Sequence, residues 1–294
     1  MNEFFRFHPI VNFIYFAFVI LFAMFLMNPI CLIISFISSF CYSVILNGKS
    51  AIKFNLYMIP IAIIAILINV LFNHEGATIL GYFSNGNPLT LESIIYGVAS
   101  AIMLITVISW FSSFNKIITS DKILFLFGKI APSLSLLLSM VFRFVPRFTN
   151  QIKEISNAQK CIGKDIENGN IIQKIKNGIS ILSAEITFAF DNSIETAESM
   201  KARGYKSGDR TFFTIYTMNS RDKKSLITIL IAGLYVFLGI CFKATSYIYY
   251  PKFKMQEVNF YTLSVFFMYA FLCVIPIIIE ISEELKWRKL KSKI

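Results

Sequence analysis

ILFLFGKIAPSLSLLLSMVFRFV, residues 123–145, is the stretch on which the topology turns, because it is apolar enough to pass for a membrane span. Three of its residues argue against a crossing. Lys129 and Arg143 would each bring a charge to bilayer depth, at a cost of at least about 2.5 kcal/mol, and Pro132 removes a backbone donor that a helix in lipid needs. The flanking charges weigh more. A crossing here would export the twelve Lys and Arg residues from Lys153 to Lys224, and the five from Lys286 to Lys293. Positive charge collects on the cytoplasmic side, so the stretch is read as lying outside the hydrocarbon.

Six other runs have the length to cross, given that a helix needs about 20 apolar residues to span roughly 30 Å. They are Ile10 to Met27, Ile30 to Leu46, Phe54 to Phe72, Leu91 to Phe111, Leu226 to Phe242 and Phe260 to Ile281. Asn28-Pro29 joins the first two as a turn in which Pro opens the next helix, giving a tight hairpin. No Lys or Arg falls between Asn73 and Thr90, which makes that loop external. With the N-terminus inside, only Lys243, Lys252 and Lys254 of the 28 basic residues lie outside, so both termini are read as cytoplasmic. The chain divides into four spans over 1–112, a cytoplasmic region over 113–224, and two spans with a basic tail over 225–294. The expected fold is all-α, a polytopic membrane protein.

Composition agrees. In 294 residues, 56% hydrophobic and 15% charged, with mean hydropathy +0.65, there is more apolar surface than a soluble domain can bury. The net charge of +11 sits in the connecting segments and suits an anionic lipid face; six lipid-length runs are a poor match to a nucleic-acid-binding protein. Five scattered cysteines without a Cys-x-x-Cys pair, beside only two histidines, indicate neither a disulfide framework nor a metal site, and read as buried thiols. The first run passes straight into Asn28-Pro29 without a small-residue cleavage site, so it reads as a span and not as a leader. Gly48-Lys49-Ser50 resembles the end of a phosphate loop, but Ser43 stands where the first Gly is required and a membrane helix precedes it.

Between the fourth and fifth spans, apolar residues recur at helical spacing. Leu134, Leu138, Val141, Val145, Phe148, Ile152, Ile155 and Ile162 form one stripe, with Pro146 as a point of bending; Ile172, Ile175, Ile179, Leu182, Ile186, Phe190 and Ile194 form a second. Two helices of about 30 residues, each about 45 Å long, follow. They are too polar for lipid and too apolar for water alone. The first stops at Lys160-Cys161-Ile162-Gly163 and the second at Lys201-Ala202-Arg203-Gly204, where Gly suits a left-handed cap and the lysine suits the helix dipole. Arg143 and Arg147 are candidate ion-pair partners for Asp191 and Glu195 on the crossing helix. Asp191, Glu195 and Glu198 otherwise read as a solvated acidic row.

These residues resemble the transmembrane T component, EcfT/CbiQ-like, of energy-coupling factor (ECF) importers. The resemblance rests on His8-Pro9, Thr119-Ser120-Asp121-Lys122, Ser133-Leu134-Ser135 with Arg143-Phe144-Val145-Pro146-Arg147, Ala158-Gln159, and above all Ser199-Met200-Lys201-Ala202-Arg203-Gly204-Tyr205. It implies a non-catalytic subunit of an ATP-driven importer of vitamins or transition-metal ions. It also implies two coupling helices whose Ala-Arg-Gly tips dock on two ATP-binding cassette ATPases, a small membrane substrate-binding S component as third partner, and no cofactor of its own. The second signature is intact at Ala202, Arg203 and Gly204; the first departs, reading Cys161, Ile162 and Gly163. The rival readings are a stand-alone permease, which would carry ionisable groups or broken helices at the bilayer midplane, and a membrane enzyme, which needs clustered catalytic groups. Lys53, Glu92, Lys243 and Glu280 all fall near span ends, and His8 and His74 fall on opposite faces.

Overall fold

In a computed structural model that describes residues 3–82, 86–164, 170–205, 216–256 and 259–291, helix α1 (Pro9–Phe25) starts where His8 Nδ1 accepts the Ile10 N–H at 3.3 Å. Asn28 does the same for Ile30 at 3.0 Å, and Pro29 opens α2 (Pro29–Asn47), the expected hairpin. Gly48, at φ 57°, ends α2 and passes directly into α3 (Lys49–Phe72), so Gly48-Lys49-Ser50 is a corner between helices. That corner also brings Lys49 and Lys53 into the start of α3, ahead of the expected Phe54. Strands β1 (Ile79–Tyr82) and β2 (Pro88–Thr90) pair antiparallel, and Thr90 Oγ1 caps α4 (Leu91–Ile117) at the Ser93 N–H.

The stretch 123–145 is not one helix. Helix α5 (Ser120–Ile130) stops before Ala131, which leaves helical geometry at φ −138°, ψ 81°, and α6 (Pro132–Cys161) starts afresh with Pro132 in its first turn. The residue before a proline is pushed out of the α region, which breaks the apolar run as a crossing. Helix α7 (Ile171–Ala202) follows, then α8 (Ser220–Cys241), the short pair β3 (Tyr247–Ile248) and β4 (Lys254–Met255), and α9 (Phe260–Lys291). Five helices, α2, α3, α4, α8 and α9, are long and apolar enough to cross a membrane; α1 is a shorter apolar helix of 17 residues. The chain is an all-α, multi-pass membrane protein.

It forms two compact units, Met1–Lys122 with Tyr216–Ile294, and Ile123–Ile215. The first centres on Tyr15, Phe16, Tyr42 and Trp110, whose rings meet mainly edge to face at 5.2–6.4 Å. Two polar groups within it are paired, Trp110 Nε1 donating to Ser35 Oγ at 3.1 Å and the Tyr15 hydroxyl to the Cys273 carbonyl at 3.2 Å, whereas the buried Tyr42 hydroxyl makes no hydrogen bond among the described residues. Only Cys31 and Cys273 are buried thiols; Cys41, Cys161 and Cys241 are exposed, Cys41 and Cys241 on helices long and apolar enough to cross a membrane. In the second unit α6 and α7, of 30 and 32 residues, pack on each other.

Candidate docking tips and the cleft between the long helices

Both long helices end in the same backbone device. At the end of α6, Gly163 takes φ 78°, its N–H donates to the Lys160 carbonyl at 3.0 Å, and the Lys164 N–H donates to Gln159 at 3.0 Å. At the end of α7, Gly204 takes φ 80°, its N–H donates to Lys201 at 3.0 Å, and the Tyr205 N–H donates to Met200 at 3.0 Å. This paired pattern is the Schellman motif. A side chain at Gly163 would meet no atom within 4 Å, so the glycine is required for its left-handed backbone and not for space. Superposing the motifs matches Lys160 with Lys201, Cys161 with Ala202 and Ile162 with Arg203. Ile162 and Arg203 therefore hold equivalent cap positions, and both are exposed, Ile162 at 65%.

The faces behind these tips are bare in the chain alone. On α7, Ile172, Ile175, Ile179, Leu182, Ile186, Phe190 and Ile194 are each about half exposed or more, while Ile181 and Glu185 are buried. On α6, Leu134, Leu137, Val141 and Val145 are exposed likewise. Such contiguous apolar surface marks a contact face.

Within the same unit a cleft of about 520 Å³ is lined by Arg143 and Arg147 from α6 and by Asn192, Glu195, Thr196, Ser199 and Arg203 from α7. It gathers four residues singled out from sequence, Arg143, Arg147, Glu195 and Arg203, and leaves Asp191 off its lining. Arg147 Nη2 donates to Asn192 Oδ1 at 2.8 Å and its guanidinium sits 5.6 Å from the Phe188 ring, while Arg143 lies 5.2 Å from Phe144. Among the described residues no ion pair within 4.0 Å joins either arginine to Asp191 or Glu195. One residue along a helix is a turn of about 100°, so Asn192 faces α6 where Asp191 does not. Asn192 and Phe188 carried no signal of this role in the sequence; within α7, Asn192 Nδ2 donates to the Phe188 carbonyl at 2.7 Å.

The chain is similar in sequence to known proteins. The family model described as CbiQ, cobalt transport protein, matches residues 2–213. The energy-coupling factor transporter transmembrane protein EcfT of Streptococcus equi subsp. equi is 30% identical over 230 residues, covering 73% of this chain and 80% of that protein. The EcfT proteins of Streptococcus thermophilus and Macrococcus caseolyticus are 33% and 26% identical, over 61% and 76% of this chain and 72% and 93% of theirs. With the multi-pass helical fold, these matches show that the chain belongs to the CbiQ/EcfT family of energy-coupling factor transporter transmembrane proteins, a transport component and not a catalytic one.

Proposed function

We propose that this chain is the coupling subunit of an ECF-type importer, in which α6 and α7 relay the motion of two ATP-binding cassette ATPases to a small membrane S component that binds a vitamin or a transition-metal ion. The observation that carries the reading is the pair of matched helix ends, one of which presents Arg203 on an exposed cap. A guanidinium offers a planar fork of donors suited to a carboxylate, and a helix tip concentrates it at a contact. Ala202, Arg203 and Gly204 dock on one ATPase; Cys161, Ile162 and Gly163 dock on the other through an apolar side chain. The bare apolar stripes on both helices contact the S component. ATP is hydrolysed in the partner subunits, residues 113–224 and both termini face the cytoplasm, and Arg143 and Arg147 brace the crossing of α6 over α7.

The test is co-purification in mild detergent of the tagged chain with its ATPases, wild type against Arg203→Ala. Loss of the ATPases, with membrane insertion intact, is the expected result. Undiminished capture and undiminished uptake by Arg203→Ala would overturn the assignment.

A further inference from the structure

The start of the chain collects buried charge that docking leaves unused. Phe4, which opens the 3-10 turn Phe4–Arg6, and Phe7, which follows it, are 0% and 2% exposed, so this segment is part of the membrane unit's core and not a loose end. Three elements hold it. From α9, the Glu280 carboxylate accepts the backbone N–H groups of Glu3 at 3.1 Å and Phe4 at 3.2 Å. From α5, Lys122 Nζ donates to the Phe5 carbonyl at 2.5 Å and lies 4.1 Å from the Phe5 ring. With the Asn12 amide oriented to satisfy both of its atoms, Lys122 Nζ also donates to Asn12 Oδ1 at 2.9 Å while Asn12 Nδ2 donates to Phe4 O at 3.1 Å. From α8, the Arg221 guanidinium sits 4.3 Å from the Phe7 ring and 3.8 Å from the Glu3 carboxylate, which also binds Arg6 at 3.0 Å.

The positions of Lys122 and Arg221 in the chain give this cluster its meaning. Lys122 is the last residue of the membrane unit before the chain leaves it, and Arg221 follows five residues after the chain returns at Tyr216. Lys122 is 1% exposed, and among the described residues no carboxylate lies within 4.0 Å of it. Burial pushes its ammonium down to about 8. An apolar side chain of similar length would fill that space without the desolvation cost. What the ammonium adds is direction, because both of its acceptors belong to residues 5–12.

We propose that residues 3–12 form a clamp holding both points at which the chain crosses between its units, with Lys122 and Arg221 as positioning residues and Glu280 as the anchor on α9. Load on α6 and α7 then reaches α1 and α9 without slack at the connections. The inference rests on the coupling reading above.

Two measurements separate the clamp from that reading. Hydrogen exchange on the purified full chain needs no partner: Lys122→Met is expected to speed amide exchange at least fivefold over residues 4–12 and at the start of α5, and to leave α7 unchanged. The assembled transporter in proteoliposomes gives the second: Lys122→Met is expected to keep ATPase capture and hydrolysis within twofold while uptake per ATP falls at least fivefold, with Lys122→Arg recovering most of it. A merely structural role would lower uptake and hydrolysis together and leave their ratio intact. Should Lys122→Met fail to insert, Arg221→Gln and Glu280→Gln are read in the same two ways. Unchanged exchange, or an unchanged uptake-to-ATP ratio, in the variant that inserts overturns the clamp; undiminished ATPase capture together with undiminished uptake by Arg203→Ala overturns the coupling reading, and the exchange result then stands or falls by itself.

Discussion

The two long helices end alike in backbone and unlike in chemistry. Around Gly163 and around Gly204 the hydrogen bonds, the left-handed residue and the preceding lysine correspond, yet the exposed cap is Ile162 at one end and Arg203 at the other. Local rules fix how a helix stops, and a glycine is enough for that. They leave the cap side chain free to suit whatever it touches. On the coupling proposal, the difference at this one position corresponds to two unlike partners, a carboxylate for Arg203 and an apolar socket for Ile162.

That contrast can be broken or sharpened in steps of decreasing size. Arg203→Ala removes a charged anchor worth on the order of 2 kcal/mol, so ATPase capture is expected to fall roughly thirtyfold in a titrated pull-down. Ile162→Ala removes three carbons; with a little over half of their surface buried in a shallow socket, the loss is about 1.4 kcal/mol at roughly 0.8 kcal/mol per buried methylene. Capture of the other ATPase should drop about tenfold, and no drop would mean that this tip touches nothing. Arg203→Lys keeps the charge but loses the fork, with about a fivefold loss expected; a full rescue would make the contact one of charge alone. Gly163→Ala and Gly204→Ala should each cost about 1 kcal/mol in cap stability, and by the same amount, because their dihedrals match; unequal losses of helicity in thermal melts would refute the equivalence. Ile162→Arg is read by its sign rather than its size: capture of the other ATPase should fall at least as far as in Ile162→Ala if the first socket is apolar, because an unpaired guanidinium there loses its hydration, and should rise if the socket holds an unused carboxylate.

Much of this was legible before the structure. Lys129 and Pro132 are local facts with local consequences and argued against one crossing over 123–145, while the break into α5 and α6 at Ala131 is seen in the structure. Gly163 and Gly204 marked the helix ends for the same reason. The expected start of α3 at Phe54 lies five residues beyond the observed one, since hydropathy ignores Lys49 and Lys53, whereas the corner at Gly48 lets a helix begin at once. Arg147 finding Asn192 in place of Asp191 depends on the register of two crossing helices, which spacing along one helix does not determine. Hardest to see was the N-terminal cluster. Glu3 and Glu280 stand 277 residues apart, and Lys122 looked like one more member of a basic count. Nothing in a one-dimensional pattern separates a buried ammonium from a solvated one.

The bare isoleucine face of α7 has a consequence for the life of the protein in the cell. A helix about 48 Å long with that side uncovered invites self-association and attack by quality-control proteases whenever its companions are scarce. If the proposed partners cover this face, production of this subunit must keep pace with theirs, and a surplus made by overexpression alone would be short-lived.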